Sequence, residues 1–186
     1  MNAQHSATPT PPAHGGATAA DAAGPAPAAG SVVLLPRTKD SATFLESCHL
    51  TANRGAGSNA RMRVMPWVRR HWAGNADQAS RVADKLVDNA VRHAKAFPSD
   101  GGIVTLRVFG FADGFLAIEV DDALPQFPGF QQVANQGSEV PGRPTGLWWV
   151  AHYRGVLSWD VKRDVTSTVI GKTVRALLPQ TWDGAA

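Results

Sequence analysis

Lys85, Asn89 and His93 stand four residues apart. On a helix that spacing stacks them along one face. Beside them runs an apolar stripe of Ala79, Val82, Ala83, Leu86, Ala90 and Ala94, which must face a core. Asn89 borders the stripe and is expected to be half buried. Such an amide either satisfies a neighbouring backbone group or faces a ligand cleft. A second feature is a carboxylate. Leu116, Ile118 and Val120 share one face of a strand, and Asp122 has their parity while Asp121 points outward. An inward carboxylate must find donors. Asp122 either caps the following turn or accepts from a ligand, for example an exocyclic amine. A third feature is Pro144-Thr145-Gly146-Leu147, which opens a short apolar segment. A helix beginning there offers N–H groups and a positive dipole end to phosphate, and Arg143 adds charge.

These groups need elements to hold them. Phe44 to Thr51 reads as a strand. Ser58 is expected to cap a helix running through Val64, Met65, Val68 and Trp72 to about Ala73. Gly74 ends it, and Asn75 with Gln78 three residues on resembles a capping box for the helix of about 77–96. Residues 103–111 and 115–122 form a hairpin around Asp113-Gly114. Residues 123–143 hold three Pro and three Gly and read as a long loop. A short helix from Gly146 to Arg154, with Gly155 at its C-cap, precedes strands at about 156–162 and 171–178. Hairpin-paired strands with three helices predict an α+β two-layer sandwich, a mixed, mostly antiparallel sheet covered on one face.

Lys85-Leu-Val-Asp-Asn-Ala-Val-Arg-His-Ala94 resembles the N-box of the GHKL (Bergerat-fold) ATPases, in the form closest to the anti-sigma-factor serine/threonine kinases. Val120-Asp-Asp-Ala-Leu-Pro125 looks like their adenine-binding box. Gly146-Leu-Trp-Trp-Val150 is similar to the end of their second glycine box, and Gly171-Lys-Thr-Val-Arg-Ala-Leu-Leu-Pro179 to their closing strand. The four motifs follow in order over residues 42–179. The resemblance implies an ATP-binding regulatory protein. Asn89 would ligate Mg²⁺ and Asp122 would accept from the adenine amine. Arg143, Thr145, Gly146, Leu147 and Thr173 would complete the nucleotide site, under a lid of residues 125–142. The implied partner is a protein such as a sigma factor or an anti-sigma antagonist, with a homodimer left open.

The chain departs from that pattern at three positions. The family's general base is a Glu four residues before the Asn; here that position is Lys85. An ammonium has no lone pair to take a proton, so phosphotransfer is expected to be weak or absent. Leu124 stands where a small residue is usual. Pro144 removes one N–H from the phosphate cradle. A pseudokinase that binds a protein partner without nucleotide is the alternative.

Composition narrows the remainder. Residues 1–30 include 11 Ala, 5 Pro and 4 Gly, so residues 1–38 are expected to be a disordered tail before a domain at 39–181. The chain carries 18 Lys+Arg and 15 Asp+Glu, a formal charge of +3, too little to demand nucleic acid. The single Cys48 excludes a disulfide framework. No apolar run reaches the roughly 20 residues of a membrane span, and no secretory leader is read, so a cytoplasmic protein is expected. Arg54-Gly-Ala-Gly-Ser-Asn-Ala60 imitates a dinucleotide fingerprint, but the next strand is too distant for a compact βαβ unit. The helix through Arg61, Arg63, Arg69 and Arg70, with Trp67 and Trp72, reads either as a solvated face with two core anchors or as a docking surface.

Overall fold

The computed structural model describes residues 39–93, 102–134 and 146–181. The chain divides into Met1–Pro36 and Arg37–Ala186, and the whole first unit, with the expected tail, lies outside the described residues. Among the described residues the order is β1 (Ala42–Thr51), α1 (Ala56–His71), α2 (Ala76–His93), β2 (Ile103–Phe111), β3 (Leu116–Asp122), α3 (Phe130–Ala134), α4 (Trp148–His152), β4 (Val156–Arg163) and β5 (Val169–Leu178). The strands form one sheet in the order β1-β2-β3-β5-β4. All four pairings are antiparallel, so the α+β sandwich is present and the sheet is not mixed. With no parallel βαβ unit in this sheet, the Gly55–Gly57 turn belongs to a β1–α1 connection and not to a dinucleotide fold.

Local chemistry sets the helix ends. α1 starts at Ala56, two residues before Ser58, with Gly55 at the N-cap and no side-chain cap. Asn53 makes the turn instead, its Oδ1 accepting from Gly55 N at 2.9 Å. Asn75 does cap α2, accepting from Gln78 N at 3.1 Å. Ala94, the last member of the expected stripe, lies outside the described residues. The β2–β3 turn closes where expected, with Gly114 at φ +86°. The stretch read as a loop contains α3. At the end of α4 the C-cap is Tyr153, and Gly155 N returns to Val150 O at 2.8 Å.

α2 buries Ala79, Val82, Ala83, Leu86, Val87 and Ala90. They meet Val104, Leu106, Ile118, Val120, Val174 and Ala176 from the sheet, with Val64 and Val68 of α1 alongside. Each large apolar side chain so buried stabilises by about 1.5–3 kcal/mol. Val133 of α3 and Val150 of α4 join the same cluster, so all four helices cover one face.

β3 is buried at all seven positions, which calls for cover on both faces. On the second face the register places Arg107, Glu119 and Arg175 in one row. Thr105, Asp121 and Thr173 form the next row. Arg175 Nε and Arg107 Nε donate to Glu119 at 2.8 and 3.0 Å. Arg107, Lys162 and Thr173 all donate to Asp121. Asp121 therefore points away from the core, as expected, yet lies buried beneath these donors.

Candidate functional site

The last residues of β3 and the start of β5 meet under the C-terminal half of α2. Asp122 pairs with Lys172 in the sheet register. Both side chains point to the helical face, and both are buried. Lys172 Nζ donates to Asp122 Oδ1 at 2.7 Å and to Leu124 O at 2.9 Å. Leu124 N donates to the same Oδ1 at 2.9 Å. The carboxylate thus caps its turn with one oxygen, the first of the two roles open to it. Its other oxygen, Oδ2, is buried with no hydrogen-bond partner among the described residues. Burial pushes the Asp122 carboxyl above its ordinary value; the Lys172 ammonium and the Leu124 N–H pull it back without reversing the shift.

Above this pair is a cavity of about 320 Å³. Asn89 and His93 of α2 form one wall, and Leu124, Gln126, Phe127 and Val133 form the opposite side. Lys172 lines it from β5. The four-residue spacing on α2 therefore delivers two of its three polar groups, Asn89 and His93, to one cleft. Leu124 lies in the wall, so the position expected to be small adds bulk to the cavity. Phe127 packs edge-on to Phe130, with centroids 5.3 Å apart, and beside Trp159. That aromatic packing holds the loop after β3 against β4.

Other residues singled out by the sequence fall elsewhere. Lys85 does not line this cavity; its Nζ lies 3.1 Å from Asp84 Oδ2. Asp84 is turned toward α1, where a Cβ on Gly57 would come within 2.3 Å of its Oδ1. Asp88 pairs with Arg92 at 3.1 Å along α2. Thr173 is on the opposite face of the sheet, its hydroxyl donating to Asp121 at 2.8 Å, and does not join the group. Gly146 is exposed and Leu147 buried at the start of α4. Arg143, Pro144 and Thr145 lie outside the described residues, as do residues 135–142 of the expected lid.

The tryptophans resolve by contact. Trp72 Nε1 donates to Gly114 O at 2.8 Å, tying α1 to the β2–β3 turn. Trp148 is buried and Trp149 half-buried, and the Arg81 guanidinium lies 4.6 Å over the Trp149 ring. The residue that sequence reasoning misses is Lys172. Its parity with Val174, Ala176 and Leu178 marks 172, not 173, as the inward position.

Among the described residues no helix is long and apolar enough to cross a membrane. No family model and no curated protein matches the sequence. Among solved structures the chain is similar to one titled "Mycobacterial sensor histidine kinase MprB", at 19% identity and a TM-score of 0.42, the match covering 73% of this chain and 97% of that one.

Proposed function

We propose that the domain is a purine-nucleotide-binding regulatory module of the histidine-kinase-like ATPase type, binding ATP with Mg²⁺ but transferring phosphate slowly or not at all. One observation carries the reading. Asn89, from the N-box-like helix, and Lys172, above the buried Asp122, line one cavity with Phe127 in its wall. Its volume is at the lower end of the range for small-molecule sites, roughly 300–1,000 Å³. The unpartnered Asp122 Oδ2 suits a ligand N–H. Asn89 would be the protein's contribution to Mg²⁺, which keeps most of its shell as water and phosphate oxygen. Lys85 leaves the helix without a proton acceptor at the position where the resemblance calls for a base. Regulation would then work through a protein partner, such as a sigma factor or its antagonist, held or released with nucleotide.

A second reading is favoured by one specific contact. The Lys172 ammonium already occupies Asp122 Oδ1, as a ligand amine would, which suits an interaction module that needs no nucleotide. Calorimetric titration with ATP, with and without Mg²⁺, separates the two. Saturable one-site binding supports the first reading, and its absence supports the second.

A further inference from the structure

An ammonium carries three N–H donors. Two of those on Lys172 are placed, on Asp122 Oδ1 and Leu124 O. The third has no acceptor among the described residues, and the residue lines the cavity, its Nζ 5.7 Å from the centroid of the Phe127 ring. Next to it, Asp122 Oδ2 is an acceptor without a donor. One ion pair therefore holds a donor on the cavity, from Lys172, and an unpaired acceptor buried beneath it, from Asp122, which does not itself line the cavity. A single carboxylate asks only for a donor. This pair asks for a planar edge with an acceptor next to a donor.

We propose that Lys172 is a base-reading residue. The ligand's ring acceptor receives the third Lys172 N–H, while the neighbouring amino or ring N–H of the ligand donates to Asp122 Oδ2. The inference rests on the nucleotide reading above and deepens it. Adenine offers such an edge in N1 and the 6-amino group, and guanine offers one in O6 and N1–H. Both contacts involve a charged group, so each is worth more than a neutral hydrogen bond.

The test compares ADP with 1-deaza-ADP, which keeps the amino group but replaces N1 by C–H, on the full chain by calorimetry. The wild type should bind the deaza compound at least about ten-fold more weakly, the loss expected for a hydrogen bond to a charged donor. In Lys172→Met the two nucleotides should bind equally. Lys172→Gln, with one neutral donor, serves if Lys172→Met does not fold, and should discriminate only a few-fold. Equal affinities in the wild type, or unchanged discrimination in the variants, overturn the assignment of Lys172 and leave nucleotide binding standing. No binding of ADP at all overturns the nucleotide reading and this inference together.

Discussion

Lys172 and Asp122, 50 residues apart in sequence, form an ion pair of 2.7 Å in which neither side chain is more than 3% exposed. Removing one partner of such a pair leaves a buried charge uncompensated, which typically costs about 3–5 kcal/mol. The pair locks β5 to the end of β3 and so fixes the floor of the cavity.

Asp122→Asn should therefore have two effects. ATP binding should weaken by about 1–3 kcal/mol, the usual cost of a lost buried partner. Urea unfolding should also show a loss of stability, because Lys172 keeps only a neutral acceptor. Adding Lys172→Met should recover part of that stability and none of the ATP affinity. Unchanged ATP affinity in Asp122→Asn would remove Asp122 from the site.

Lys85 should set the chemistry. A general base typically contributes about 10²–10⁴-fold, and Asp84 and Asp88 are both engaged elsewhere. Phosphate release by the wild type should be at trace level, and Lys85→Glu should raise it. Robust turnover by the wild type would mean that another group takes the hydroxyl proton.

The second face of the sheet predicts acid sensitivity. Burial raises the Glu119 carboxyl, but the hydrogen bonds and charges of Arg175 and Arg107 outweigh it and hold the group below its ordinary value. Asp121 is likewise lowered by Arg107 and Lys162 against its burial. Groups with depressed folded values stabilise above their unfolded values near 4.5 and 3.8, and lose that contribution as pH falls through the folded ones. Asp122, raised, acts in the opposite sense: its protonation on acidification favours the fold. Chemical unfolding should thus show stability falling below about pH 4.5. Glu119→Gln should lower stability at neutral pH and flatten that slope. An unchanged slope in Glu119→Gln would show that the network does not govern the acid limb.

Gly57 allows α1 to approach α2. A Cβ there would sit 2.3 Å from Asp84 Oδ1 and 3.0 Å from the Asp84 backbone oxygen. Gly57→Ala should destabilise by about 1–3 kcal/mol despite its better helix propensity, as overpacking does. A gain in melting temperature would show that the two helices separate freely.

The stripe on α2 and the alternation in β3 are legible because periodicity reports which face is buried. They yield the two-layer sandwich and the inward direction of Asp122. The start of α1 is not legible from Ser58, because Asn53, outside the helix, makes the turn. α3 carries no signal, because five residues following Pro128-Gly129 are too few to show a period. A motif points to Thr173, whereas the pleat puts Lys172 inward and Thr173 on the charged face. Nothing local in the sequence says that Asp121, facing outward, is buried under Arg107 and Lys162; that follows only from the strand order.

The central claim is that Asn89 and Lys172, with Asp122 buried beneath Lys172, form a nucleotide site. The direct measurement is an NMR titration of the full chain with ADP and Mg²⁺, following the backbone amides. Saturable shifts are expected at Asn89, Leu124, Phe127 and Lys172 and not on the exposed face of α1 around Met62. No saturable shifts, or shifts confined to residues away from the cavity, would contradict it.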